Sequence, residues 1–413
     1  MPSTVSSQED GLDTVVQARS LVRIDTEFSA DCIEWCTSAG YEDIFICGTY
    51  QVLEQGDDRQ TRASQPDADL DRGEDSDVTL QSVEHDEDES DLDPSIKPST
   101  HRTGRLLLFQ VTDPSTGSIT EVQRLETNAI LDAKWFAEAR GPELLVADAK
   151  GQINIYTLTR DKQLRLEQTV QVGDPSVLVL SLDINTASSA RAEVAFSLSD
   201  GALGILSRTS ANGWAVENTW KGHDFEPWCI AWDKWSAHTV WSGGDDLKLK
   251  RWDTRSTSFP TYTDKSFSAG ITTLTSSPHT PYLLAVGSYD EYLRLYDTRQ
   301  PRNPLSEVHV GGGVWRARFH PDVMRRRDEM LLATMHDGFK VIKLHAARHD
   351  AAEPLFVPLE DPSWTQVPTI VKRFDGHESL AYGADWSRLP SAAGETLIAT
   401  CSFYDHTMHL WRG

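Results

Sequence analysis

Residues 222–253 read GHDFEPWCIAWDKWSAHTVWSGGDDLKLKRWD, a Gly-His pair and a Trp-Asp pair separated by 28 residues. Near its end, Asp246-Leu-Lys-Leu-Lys-Arg-Trp252 alternates apolar and polar residues, as a half-buried strand demands. The acidic turn before it is the hairpin that feeds that strand. The same string returns downstream from Asp290 to Tyr296, from Asp337 to Lys343 and from Asp405 to Trp411. Upstream it returns from Asp200 to Leu206, from Lys150 to Tyr156 and, more weakly, from Thr103 to Phe109.

The final slots of these strings fall at 109, 156, 206, 252, 296, 343 and 411, at intervals of 47, 50, 46, 44, 47 and 68. That period is close to the ~40–45 residues of a four-stranded blade, with one insertion near 345–370. Seven copies in phase predict an all-β fold, a seven-bladed WD-repeat β-propeller, with all 413 residues in one domain. The third strand of blade seven ends at the chain's last residues, so its outer strand must come from elsewhere. Thr14–Asp25 alternates like a strand and is expected to close the ring there.

The charge of −24 is uneven: Glu54 to Asp93 holds sixteen acids and three arginines, a net −13. With hardly any large apolar residue, residues 54–98 are expected to form a disordered acidic loop inserted in blade one. An acidic balance argues against nucleic acid as a partner. No apolar run approaches the ~18 residues that span a bilayer, and no charged-then-apolar leader opens the chain. The expectation is a monomeric cytoplasmic protein that does not engage a membrane. Its five cysteines show no zinc-like spacing, and Cys32 and Cys36 read as buried thiols around Trp35.

Four residues in a blade of this kind can hydrogen-bond in a row, and blade four offers all of them: His223, Ser242, Asp246 and Trp252. Blade seven offers His377, Asp405 and Trp411, with Cys401 where the serine should stand. The residues just before the turn acids in blades four to seven, Asp245, Tyr289, His336 and Tyr404, point toward one mouth of the channel. The loops that enter the innermost strands there carry Glu226 and Trp228, then Gly311-Gly312-Gly313 with Trp315 and Arg316, then Glu378, Ser379 and Tyr382. Packing between blades is the plainer use of the aromatics, and a solvated rim that of the acids. No G-x-S-x-G elbow, H-E-x-x-H pair, phosphate loop or dinucleotide fingerprint occurs.

The segments GHDFEPWCIAWDKW, SGGDDLKLKRWDTR, GSYDEYLRLYDTR, GGGVWRARFHP, ATMHDGFKV and HESLAYGADW together resemble the diphthine methyl ester hydrolases, also named diphthine methyltransferases. The resemblance runs through blades four to seven. It implies a methylesterase that demethylates a modified histidine of translation elongation factor 2 in diphthamide biosynthesis. It implies no cofactor and no metal. The implied side chain carries a trimethylammonium group, which binds best over aromatic faces near negative charge. Trp228, Tyr289, Trp315, Tyr382 and Tyr404 with Glu226, Asp245, Glu291 and Glu378 are the expected substrate contacts. His336 is the expected general base, and Ser379 or a water the nucleophile; His377 is a further catalytic candidate. Arg316 and the amides of Gly312 and Gly313 are the expected oxyanion donors. A non-catalytic WD-repeat scaffold, in the same pathway or in trafficking, fits the same mouth.

Overall fold

The computed structural model describes residues 15–53, 101–137, 141–188, 191–209, 211, 213–322, 324–346, 366–391 and 394–413. The acidic stretch 54–98 therefore lies outside the described residues. The chain divides into the propeller, residues up to 51 and from 102, and the stretch 52–101.

Among the described residues, seven sheets follow one another, each with four strands in an antiparallel meander. Counting strands a to d outward from the channel, blade one runs Ser29–Trp35, Ile44–Leu53, His101–Asp113 and Ser118–Asn128. Blade four runs Cys229–Trp232, Thr239–Gly243, Leu249–Asp253 and Tyr262–Asp264. Blade six runs Arg316–Phe319, Glu329–Ala333, Phe339–Ala346 and Gln366–Phe374. The a strands touch in order around the ring, and that of blade seven, Ala381–Trp386, meets that of blade one. Apolar side chains from facing blades fill the wedges between them. Ala195, Leu203 and Ile205 of blade three pack with Ile230, Trp232, Val240 and Trp252 of blade four. All five cysteines are free and buried. No helix among the described residues is long and apolar enough to cross a membrane.

Closure follows the expected segment, with an addition. Val22–Asp25 pairs antiparallel with Thr407–Leu410 as the outer strand of blade seven. Just before it, Val16 and Gln17 pair in parallel with Lys372 and Arg373 on the outer strand of blade six. One short segment thus holds two neighbouring blades by their edges.

Polar rows fix the turns. In blade four, Asp246 Oδ1 lies 2.8 Å from His223 Nδ1, Ser242 Oγ lies 2.7 Å from His223 Nε2, and the Trp252 indole donates to Ser242 at 2.9 Å. Blade seven builds the same row with Thr400 and Ser402, while Cys401 points into the apolar wedge. His377 Nε2 lies 3.0 Å from Thr400 Oγ1, which also accepts the Trp411 indole at 3.2 Å. Its Nδ1 faces Ser402 Oγ at 2.5 Å, and Ser402 donates on to Asp405. Strand alternation explains the shift, because neighbours of Cys401 on both sides face the histidine.

Candidate active site

The first turn of strand a is where each blade reaches the mouth lined by the d–a loops and b–c turns. In blade one the a–b pairing passes from Ala30↔Thr49 to Cys32↔Gly48 and skips Asp31. Blades two, three and five skip Leu131, Leu180 and Thr272 at the same place, and blade seven skips Tyr382 with Gly383. Blades four and six begin their ladders one residue later, after Trp228 and Trp315. Such bulges re-aim a side chain out of the ladder. The upper layer of the channel therefore carries three large aromatics and a single carboxylate, Asp31.

The aromatics form one continuous group. Trp315 stands 5.7 Å from Trp228, 6.2 Å from Tyr289 and 4.7 Å from Tyr382, centroid to centroid. Phe403 continues it, 4.9 Å from Tyr382, 5.0 Å from Tyr404 and 6.1 Å from Tyr50. Trp315 and Tyr382 are 7% and 5% exposed and form its floor, while Tyr404, at 57%, stands free at the rim.

Acids sit against this group. Burial pushes the Asp245 carboxyl up, and Glu226 and Asp246 push the same way against the pull of the Trp228 indole. Burial raises the Tyr289 phenol, and the charge of Asp245 raises it further. Asp31 is 6% exposed, and its Oδ1 has no hydrogen-bond partner among the described residues. Burial pushes its carboxyl up to about 7, with Asp132 adding to the rise and Arg316 opposing it. Its charge reaches the Tyr382 and Tyr50 phenols, both raised chiefly by burial.

Below this layer the channel opens into a cavity of about 560 Å³ that reaches the a–b loops at the other end. Its wall is a lattice of ion pairs. Arg316 donates to the Leu131 carbonyl at 3.3 Å and lies 3.9 Å from Asp132. Lys134 reaches Asp132 at 2.7 Å, and Arg318 reaches Glu34 at 2.6 Å. Carboxylates here also bridge blades: Asp132 accepts the Leu182 amide at 2.9 Å and Asp385 the Trp35 amide at 2.9 Å.

Of the expected site residues, the structure gathers Trp228, Tyr289, Trp315, Tyr382 and Tyr404 with Asp245, Glu226 and Arg316. No hydrogen bond links His336, Ser379 and His377 to one another among the described residues, although the turn of His336 lies beside the loop of Ser379, where the Ala381 amide donates to the Met335 carbonyl at 3.0 Å. His336 stands exposed at its turn, with no hydrogen bond to a described residue. Ser379 Oγ accepts the Tyr404 amide at 3.0 Å, and His377 belongs to the row of blade seven. Glu291 pairs with His309 on the outer strand of blade five at 2.8 Å. Glu378 is largely exposed, 4.0 Å from Arg23. Gly311 has φ +84°, and a Cβ at Gly312 would lie 2.2 Å from the Thr334 carbonyl, so this run is glycine for close approach. No described residue accepts from the Gly312 and Gly313 amides. Asp31 and Phe403 escaped the sequence reading. Aligning the seven a strands would have shown Asp31 where Trp228, Trp315 and Tyr382 stand.

Residues 259–297 match the WD domain, G-beta repeat family. A chain of the crystal structure of the mitotic checkpoint complex superposes with a TM-score of 0.60 over 100% of this chain and 97% of its own. At 13% identity it shares the fold alone. Diphthine methyltransferase of Mus musculus is 34% identical over 390 residues, covering 90% of this chain and 70% of the relative. Diphthine methyltransferase of Homo sapiens is 34% identical over 382 residues, 90% of this chain and 75% of the relative. The chain, a seven-bladed propeller with an aromatic mouth, belongs to the diphthine methyltransferase family of the diphthamide pathway.

Proposed function

We propose that this chain is a carboxylic ester hydrolase that demethylates diphthine methyl ester on translation elongation factor 2, in the cytoplasm, releasing methanol and leaving diphthine. The aromatic group around Trp315, with Asp245 and Asp31 against it, carries the reading. A trimethylammonium cation has no N–H to donate, so it gains little from hydrogen-bond acceptors and much from π faces. Trp228, Tyr289, Trp315, Tyr382 and Tyr404 offer such faces around one opening.

The same acids also bear on the ester group. A neutral methyl ester enters a mouth that holds the Asp31 and Asp245 carboxyls; the product carboxylate is repelled by their charge, which favours release. Arg316 and the free Gly312 and Gly313 amides are the proposed donors to the oxyanion of the tetrahedral intermediate. Elongation factor 2 is the proposed protein partner, engaged by a monomer.

The test is incubation of the pure protein with methyl-esterified elongation factor 2 and measurement of methanol. Release by the protein alone, unchanged by S-adenosylmethionine, is expected. Binding without methanol would make the protein an adaptor.

A further inference from the structure

We propose that Asp31 is the general base of this mouth, a catalytic residue that takes the proton of the attacking water. The proposal rests on the hydrolase reading above. Three features single out Asp31. It is the one carboxylate in the upper layer, at the place where three other blades present Trp228, Trp315 and Tyr382. It is 6% exposed, yet Oδ1 has no partner among the described residues, an arrangement that costs stability unless a ligand completes it. Other carboxylates of the channel wall are tied: Asp132 to Lys134, Glu34 to Arg318, Asp385 to the Trp35 amide.

The groups that face Asp31 are Arg316 from blade six, Asp132 from blade two, Tyr382 and Cys401 from blade seven, and Tyr50 and Cys32 from blade one. Tyr50 is itself held by Arg102, whose Nε donates to its hydroxyl at 2.7 Å. Cys32 and Cys401 are thiols pushed up by burial, and the two phenols are raised as well, so all four stay neutral around pH 7. That leaves Asp31 as the group of this shell that changes charge in the physiological range, since burial holds its carboxyl at about 7.

The step balances as follows. Water transfers a proton to Asp31 Oδ1 as its oxygen bonds to the ester carbonyl carbon. The carbonyl electron pair moves to the oxygen, facing the Arg316 guanidinium. The tetrahedral intermediate collapses, the C–OCH3 bond breaks, and the proton on Asp31 passes to the departing methoxide, giving methanol. The new carboxylic acid loses its proton to solvent, and Asp31 is again a carboxylate.

The experiment is single-turnover methanol release from esterified elongation factor 2 by wild type and Asp31→Asn, with substrate binding, melting and pH profiles measured on both. Asp31→Asn is expected to fold and to bind within a few-fold of wild type, while its rate falls by about 10²–10⁴-fold. The wild-type rate should rise through one ionisation near pH 7, and that step should vanish in the variant. In H2(18)O, the first turnover of wild type should place the label in the product carboxylate. Asp31→Asn turning over within tenfold of wild type would overturn the assignment, as would loss of the pH step in His336→Ala alone. Unlabelled product in the first turnover would make Asp31 a nucleophile and not a base. A wild type that binds but releases no methanol would overturn the hydrolase reading itself.

Discussion

The indole of Trp228 meets that of Trp315 with ring centroids 5.7 Å apart, although blade five stands between the strands that carry them. The contact crosses the mouth of the channel and is possible because neither residue joins a ladder. It makes the floor of the candidate site a joint product of blades four and six.

That geometry yields a binding prediction. Trp228 is half-buried against Trp315, so Trp228→Ala should lower the melting point by a few degrees, and binding is measured below the transition. The substitution removes one face from the aromatic group, and affinity for a trimethylammonium substrate should fall about 5- to 30-fold, or ~1–2 kcal/mol. Trp228→Phe should restore most of it. Binding of the esterified substrate and of an analogue with a neutral tert-butyl group would be compared in the three proteins. Equal losses for both ligands would mean that shape, and not charge over a π face, is what Trp228 supplies.

The polar row of blade four predicts a structural outcome. His223→Ala leaves Asp246 and Ser242 buried without their partner, at a cost of about 1–3 kcal/mol. Melting should fall by several degrees while substrate affinity, measured below the transition, stays within twofold. Loss of affinity in a protein that melts normally would move His223 into the site.

Much of this was legible in the chain. Seven phased strings fixed the blades, and the alternation of Thr14–Asp25 found the outer strand of blade seven. The parallel clasp of Val16 and Gln17 on blade six was not legible, because two residues carry no period. The row of blade seven was read at Cys401, yet the hydroxyls that serve it stand at 400 and 402, since the b–c turn there is one residue longer than in blade four. The aromatics of the mouth were found because their loops differ from the repeat. Asp31 was missed because a bulge, which leaves no trace in alternation, is what turns it into the channel layer.

The clasp has its own test. The amides of Ala18, Leu21 and Thr26 donate at 2.7, 2.8 and 2.8 Å to blades six and seven, so they should exchange slowly with deuterium. Deleting residues through 26 should lower the melting point far more than replacing 54–98 with a short Gly-Ser linker, since loop length changes closure entropy only slowly. Rapid exchange at all three amides would show that the ring closes without the segment.

Acid should weaken the fold before the carboxylates that are held low begin to titrate. Burial lowers the imidazoles of His223, His320, His377 and His409, the last three to about 3, 3 and 4. Unfolded, each takes a proton near pH 6.5; folded, it does not, so stability is full above 6.5 and falls as pH drops below it. Each contributes a slope of at most ~1.4 kcal/mol per pH unit. Asp31 and Glu34, both raised by burial, run the other way and offset part of it. The melting point should therefore drop steadily from pH 6.5 to 4.5, and less steeply in His409→Gln. A flat profile over that window would show that the native state accepts those protons.

Asp31 should be a residue that activity needs and stability does not. Its carboxyl titrates at about 7 in the fold and near 3.8 when unfolded, because burial outweighs the nearby Arg316. A folded value above the unfolded one means that the native state holds the proton more tightly, so the fold loses stability as pH rises from about 4 to 7. Above pH 8 the penalty is complete, on the order of 2–4 kcal/mol after allowance for relaxation. Asn matches the shape of Asp and carries no charge at any pH. Asp31→Asn should thus melt several degrees higher than wild type at pH 8 and nearly level with it at pH 5, while its methanol release at pH 8 falls by about 10²–10⁴-fold. Melting curves at the two pH values decide the point. A variant that melts lower than wild type at pH 8 would mean that the Asp31 charge is held by partners the native state needs, and the carboxylate would then be a structural member of the channel.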